Sequence, residues 1–474
     1  MKLLLINPPR HNEIVADNPT FIDEERGHNP PLGLLYLASY IKQNSNHQVY
    51  VLDAQVDCLG YDDDFLKRIE DIGPDVVGVS AMTFTLIDVL KTIKLVQKVS
   101  KKFDRKIITV LGGSHPHLYP EETICLENID FVVKGEGEVS FLKLLEALDG
   151  NGNFSEIKGL VYRKDGQIFN NPVGDLNENL DGLPFPDREL LPVNKYNSLL
   201  GAGRIVTTMI TSRGCPFQCS FCNRPHLGKR FRYHSALRVV DEMEACIKMG
   251  IEEILIYDDT FTINRQRVLD VCSEINKRNL KFIWDIRARV DTVDAEVLKA
   301  LMSAGCTRIH FGVEAGTEKI LRVLNKGIHL DQIEKTFKIA KELGFEILGY
   351  FIIGAPEETK EDILATIKFA KKLNPDYVHI TILTPYPATE IYARALKEGV
   401  IDHDYYLEFA RHPENGVEIR YWDKELSKQE LFGLLGRFYR EFYGRPSYIL
   451  KQLLKIRSVK DLLKKARAGY KILR

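Results

Sequence analysis

No apolar run in this chain approaches the roughly 20 residues of a transmembrane helix, so no membrane span is expected. The opening Met1-Lys2-Leu3-Leu4-Leu5-Ile6-Asn7-Pro8-Pro9 is too short for a signal peptide and lacks a cleavage site. Neither charge sign is in excess: 65 Lys and Arg stand against 66 Asp and Glu, a formal net charge of -1. That balance excludes a uniformly basic nucleic-acid coat and leaves room only for a local basic patch. Cysteine is too sparse for a disulfide scaffold, with 8 in 474 residues. Three of the eight crowd into one short segment, which favours a reducing cytoplasm and a metal site. The 44% hydrophobic and 28% charged content is that of a globular chain and excludes disorder for most of it. At roughly 150 residues per domain the length predicts about three domains.

The fold class expected is α/β. Residues 1–150 alternate β-rich runs (3–6, 49–52, 76–80, 107–111, 131–133) with amphipathic stretches (34–41, 65–69, 89–99). Apolar strands separated by helices predict a parallel sheet covered on both faces. Ligands of such sheets sit beyond the strand carboxyl ends. Polar and Gly-rich segments lie there: Asn7-Pro8-Pro9, Ser80-Ala81-Met82, Gly112-Gly113-Ser114-His115 and Gly135-Glu136-Gly137-Glu138. Residues 151–200 read as a hairpin turning at Lys164-Asp165-Gly166, then a Pro-stiffened linker. Residues 201–395 hold six further βα units, with strands at 206–211, 253–257, 282–286, 308–311, 347–353 and 377–383. Six units make a partial (β/α)6 barrel whose site is expected at the strand carboxyl ends. Residues 396–474 form a helical region that turns basic toward its end. No internal repeat is evident.

Cys215-Pro216-Phe217-Gln218-Cys219-Ser220-Phe221-Cys222 is C-x3-C-x2-C in a loop just after a strand. Three thiolates from one loop suit three irons of a cubane that normally takes four Cys, which leaves one iron open. A zinc knuckle lacks its fourth ligand, His226 being the nearest rival. Cys246 and Cys272 read as core thiols, Cys306 precedes a strand, and Cys58 and Cys125 have no ligand spacing. A second cluster is not expected.

On these residues the chain resembles the radical S-adenosylmethionine (SAM) enzymes. The resemblance implies a 4Fe-4S cluster on Cys215, Cys219 and Cys222, whose free iron is chelated by the SAM amino and carboxylate groups. Electron transfer then cleaves SAM to a 5'-deoxyadenosyl radical. It places Phe221 against adenine and puts a carboxylate of Tyr257-Asp258-Asp259-Thr260-Phe261 on the SAM amino group, Asp259 first and Asp258 next. Many relatives have Gly-Gly-Glu there. Glu314 would hold ribose or amino-acid polar atoms, Arg287 and Arg289 the carboxylate, and Gly354 would let adenine approach the backbone. The methylthiotransferases resemble this barrel but need three further cysteines upstream, which are missing.

The first domain resembles the cobalamin-binding domain of one branch of these enzymes, that of the anaerobic Mg-protoporphyrin ester cyclase and radical C-methyltransferases. Ser80 matches the S-x-L position, with Met82 replacing Leu and Thr83 following. Gly112-Gly113 matches the pair that lets the nucleotide tail slide along the backbone. The stretch running through Ser114, His115 and Glu121, with Gly135 and Glu136, completes the implied cobalamin contacts. The D-x-H-x-x-G loop is missing after the first strand, so no protein histidine is assigned to cobalt. His115 and His117 are candidates for polar contact, although His117 reads equally as an ordinary loop histidine. A nucleotide-binding Rossmann unit would need G-x-G-x-x-G where Pro8-Pro9 stands.

The expected enzyme is therefore a cobalamin-dependent radical SAM methyltransferase acting on an unactivated carbon through methylcobalamin. A non-methylating reaction on the same machinery, or a non-catalytic cofactor sensor, stays open. Expected partners are a small-molecule or lipid substrate and an electron donor such as flavodoxin or ferredoxin, with no nucleic acid. Trp284, Tyr350, Tyr386 and Trp422 are candidate pocket aromatics. The basic tail has two readings: peripheral adhesion of a cytoplasmic protein to anionic lipid, or packing on the barrel with a solvated basic face.

Overall fold

The computed structural model describes residues 1–15, 27–150, 152–198, 201 and 203–454. In the first sheet β1 (Lys2–Asn7), β2 (Gln48–Asp53), β3 (Val76–Ser80), β4 (Ile108–Gly112) and β5 (Phe131–Val133) run parallel. Leu3, Leu4, Leu5 and Ile6 are all fully buried because helices cover both faces. The hairpin β6 (Leu160–Lys164) and β7 (Gln167–Asn170) adds antiparallel to β5 and widens this sheet to the order β2-β1-β3-β4-β5-β6-β7. The order reverses between β1 and β3, so a crevice opens beyond Asn7 and Ser80.

The second sheet holds β8 (Val206–Met209), β9 (Glu253–Ile256), β10 (Ile283–Ala288), β11 (Cys306–Glu314), β12 (Glu346–Ile353) and β13 (Tyr377–Ile382). Each pairs in parallel with the next, and β8 does not close onto β13. The helices after these strands start on side-chain caps: Ser235, Asn264, Asp294, Thr317, Thr359 and Thr389 each accept a backbone N–H of the first turn. Local chemistry thus sets where each strand-end loop stops. The barrel floor is polar: Arg308 pairs with Glu253 at 3.0 Å, Asp285 at 3.1 Å and Glu346 at 2.8 Å.

An open sheet exposes an edge. Helix Lys428–Tyr443 covers that of β13, where the Tyr439 hydroxyl takes the N–H and C=O of Ile380 and the Tyr443 hydroxyl those of Val378. Helix Pro446–Leu454 follows, with Ile449, Leu450, Leu453 and Leu454 exposed. The basic stretch from 455 onward lies outside the described residues. Among the described residues no helix is long and apolar enough to cross a membrane.

Two of the aromatic residues expected in a pocket belong to the core. Trp284 is fully buried and donates Nε1–H to the Ala304 carbonyl, and Trp422 donates to Glu425. Tyr350 hydrogen-bonds His310 inside the barrel at 3.0 Å. Tyr386 is 38% exposed and stands edge-on to Phe84 of the first domain.

Candidate active site

The cysteine loop leaves β8 through a two-residue ladder in which Ser212 and Arg213 pair with Tyr233 and Arg232. Gly214 follows at φ +80, where a Cβ would lie 2.3 Å from the Arg230 carbonyl, so glycine alone fits. Ser220 donates its N–H to Leu324 O, Asn325 donates to Gln218 O, and the Ile391 amide donates to Ser220 O. The loop is thus tethered to the segments that follow β11 and β13.

All three cysteines are free. Burial pushes the Cys219 and Cys222 thiols up, while Lys326 and Arg289 oppose it at Cys219 and Arg224 at Cys222. Thiolates here therefore call for a metal charge, which deprotonates a ligating thiol outright. Among the described residues no three His, Cys, Asp or Glu converge tightly enough to hold one metal ion. A cube asks one thiolate of each of three corners, whereas a zinc tetrahedron needs four ligands on one ion.

The two aspartates after β9 have different surroundings. Asp258 is buried and accepts four hydrogen bonds, from the Thr211 amide and hydroxyl at 2.5 and 2.6 Å and the Ser212 amide and hydroxyl at 3.1 and 2.7 Å. It pins the end of β8 and has little capacity left. Asp259 meets Arg224 Nε at 2.5 Å through Oδ1, and Arg224 Nη1 reaches Cys222 Sγ at 2.9 Å. Its Oδ2 is buried without a partner. Burial holds the Asp259 carboxyl above the usual carboxylate range and Arg224 pulls it back. An ammonium group seated there would satisfy the orphaned oxygen.

Around them lie the other expected SAM contacts. Arg287 stacks 3.6 Å over the Tyr257 ring and donates to the Ile256 carbonyl. Arg289 lies over Phe217, with Nη1 3.8 Å from Cys219 Sγ. Phe221 packs on the barrel core. Glu314 sits at a register shift between β11 and β12 with φ +67 and pairs with Lys326 at 2.6 Å. Gly354, at φ +79, gives its amide to Glu358, and a Cβ there would meet Leu431 at 3.1 Å. Glu358 also takes the Ala355 amide, and burial raises its carboxyl to about 8.

The first-domain loops form the facing wall. Ser80 ends β3 beside Gly112. Gly113 has φ +115, and a Cβ there would lie 2.6 Å from Ala81 O, whereas a Cβ on Gly112 would meet nothing nearer than 3.8 Å. Ser114 opens the short helix Ser114–Leu118. His115 is fully buried, its Nδ1 is 3.1 Å from the Thr83 hydroxyl, and its Nε2 has no partner. Burial lowers the His115 ring to about 4, so it is neutral at pH 7. A backbone cradle with room above Gly112 and an orphaned ring nitrogen beside it fits a large polar ligand. Gly135 donates its amide to His117 Nδ1, and the His117 ring stands 6.2 Å from that of His226 in the cysteine loop. Glu121 accepts from Asn170. Glu136 has both oxygens engaged by Arg213, Arg232 and the Asn177 amide.

The structure therefore brings the cysteines together with Asp259, Arg289 and Phe221, and sets His117 against the same loop. Asp258 and Glu136 are already saturated, and Glu121 faces the hairpin. Arg224, Lys326 and His226 are neighbours of the site that sequence reasoning did not single out as its parts. Only the closeness of Arg224 and His226 to Cys222 along the chain hinted at two of them. An open cavity of about 670 Å³, lined by Arg204, Gly250, Leu280, Phe282 and Gly305, lies at the opposite, amino-terminal end of the barrel strands.

Residues 209–370 match the family model of the Radical SAM superfamily, and residues 21–145 that of the B12 binding domain. An uncharacterized methyltransferase of Pyrococcus horikoshii is 36% identical over 459 residues, 96% of this chain and 95% of that protein. The anaerobic magnesium-protoporphyrin IX monomethyl ester cyclase of Rubrivivax gelatinosus is 30% identical over 83% of this chain and 69% of its own. Among solved structures, the cobalamin-dependent SAM radical enzyme OxsB with aqua-cobalamin and SAM bound superposes with TM-score 0.74 at 19% identity. That match covers 98% of this chain and 70% of OxsB. The radical SAM methyltransferase TsrM of Kitasatospora setae, with cobalamin and a [4Fe-4S] cluster, gives 0.67 at 19% identity over 84% and 75%.

Proposed function

The chain belongs to the radical SAM superfamily, in the branch that carries a B12-binding domain, and from that premise we propose that it transfers a methyl group to an unactivated carbon. When bound, the cluster supplies the electron that cleaves SAM to a 5'-deoxyadenosyl radical, and cobalamin supplies the methyl group. The observation that carries the reading is the apposition of two seats. The Gly112–His115 cradle and the cysteine loop lie on facing strand ends, with His117 of one side 6.2 Å from His226 of the other. One ligand alone does not account for both.

The chain's own residues divide the work. Cys215, Cys219 and Cys222 hold the cluster. Asp259 accepts the SAM ammonium with its orphaned Oδ2, Arg287 offers guanidinium donors to the carboxylate and Arg289, whose Nε and Nη2 are held by Asp291, offers only Nη1, and Glu314 is kept in place by Lys326. The Gly112–Gly113 backbone lets a nucleotide tail lie close, and His115, with Thr83 on Nδ1, presents Nε2. The substrate is a small molecule or lipid, and a one-electron donor of the flavodoxin or ferredoxin kind reduces the cluster. The relatives support methylation, with the P. horikoshii methyltransferase covered almost end to end. The cyclase relative supports a second reading, a non-methylating reaction on the same machinery.

The test is product mass. The reduced protein is supplied with hydroxocobalamin, SAM carrying a labelled methyl group, and a small-molecule extract. Methylation predicts a labelled product heavier by one CH2. 5'-Deoxyadenosine formed with an unlabelled, altered product would favour the second reading. No 5'-deoxyadenosine at all would leave only a non-catalytic sensor.

A further inference from the structure

The ladder that launches the cysteine loop sets two arginines opposite each other, Arg213 against Arg232. Like charges directly opposed on neighbouring strands destabilise the pair. These two are also nearly dry, with side chains 11% and 2% exposed. Buried charge must be paired. The pairing comes from the other domain. Glu136 meets Arg213 Nη1 at 2.9 Å and Arg232 Nη1 at 2.9 Å, and Glu138 meets Arg213 Nη2 at 2.6 Å. Both carboxylates sit at the start of helix Gly137–Leu148, where the helix dipole favours negative charge. Arg232 also donates Nη1 to the Asn177 carbonyl and Nη2 to the Leu227 carbonyl, while its Nε is buried without a partner.

We propose that Glu136 and Glu138 are positioning residues that register the cysteine loop against the cobalamin-binding domain. The connection is short. Gly135 is bonded to His117 of the Ser114–Leu118 helix, Glu136 and Glu138 hold Arg213, and only Gly214 separates Arg213 from Cys215. Gly214 has its Cβ direction filled by the Arg230 carbonyl, so the link has little slack. The ladder lacks its counter-charges without the first domain, and the distance between cluster and cobalamin is set by two carboxylates rather than by apolar packing alone. This inference rests on the reading that both groups bind this chain.

Both groups are paramagnetic when the cluster is reduced and cobalamin is Co(II), so pulsed dipolar EPR on the full-length protein reads their separation directly. Wild type should give one narrow distribution. Glu138→Gln should shift and broaden it while iron content and the cob(II)alamin signal stay at wild-type levels. Arg213→Lys keeps the charge, loses the fork geometry and should broaden it less. Glu138→Gln with Arg213→Gln should fall short of the sum of the separate effects, because the two groups act on each other. A purely structural pair would change melting temperature without changing the distribution. Distributions matching wild type in all the variants would overturn the proposal. A wild-type protein lacking either signal would instead refute the reading that both groups bind this chain, and the proposal with it. Should Glu138→Gln lose iron, Arg213→Lys alone decides, by the presence or absence of broadening.

Discussion

Replacing Cys215, Cys219 and Cys222 together by Ala should abolish 5'-deoxyadenosine formation and leave the fold in place. The three thiols supply every protein ligand the loop can give a cluster that normally has four. Loss of even one corner leaves iron to water and oxygen. The loop itself does not depend on the sulfurs for its path. Backbone and amide bonds at Ser220, Gln218, Asn325 and Ile391 fix it, so the variant should melt close to the apo wild type. Radical formation is measured as 5'-deoxyadenosine by chromatography after anaerobic reduction with SAM, and iron by colorimetric count. Residual 5'-deoxyadenosine at a tenth of wild type or more would mean that the triad is not the electron-delivering centre.

Lys326→Met should be the most destabilising single change at the site. Lys326 and Glu314 are 8% and 7% exposed and 2.6 Å apart. The carboxylate has little room to turn toward water, because Gly312 already faces Glu314 Oε1 and Lys326 Nζ so closely that a Cβ there would clash. Removing one partner of a buried ion pair strands the other charge and costs about 3–5 kcal/mol. Adding Glu314→Gln removes the stranded charge and should recover much of that loss, since the pair removed together is far less costly than either alone. Urea denaturation of the single and double variants measures both. A Lys326→Met protein as stable as wild type would show that Glu314 is solvated after all.

Much of the architecture was readable because buried parallel strands appear as unbroken apolar runs. The run from Leu3 to Ile6 has no polar alternation, and both its faces are in fact covered. The turn at Asp165-Gly166 was visible because both residues adopt positive φ, as a tight hairpin requires. That the hairpin adds to β5 was not visible, since strand pairing between distant segments leaves no mark in local pattern. The cysteine motif is local and was legible in full. The aspartates show where legibility ends: adjacent identical residues differ only in that Thr211 and Ser212 take Asp258 and leave Asp259 with a free oxygen. Glu136 stood out as part of a Gly-rich loop, yet its partners Arg213 and Arg232 lie 77 and 96 residues away along the chain. Trp284 and Trp422 drew notice as large aromatics, but size favours burial as much as ligand contact, and the core holds both.

Whether one chain seats a SAM-binding cluster and cobalamin at a shared site is read from a low-temperature EPR spectrum of reconstituted, partially reduced wild-type protein. Such a sample should give a reduced-cluster signal that changes shape when SAM is added, together with a cob(II)alamin signal. A cluster signal indifferent to SAM, or a protein that retains no cob(II)alamin, would contradict that shared seating.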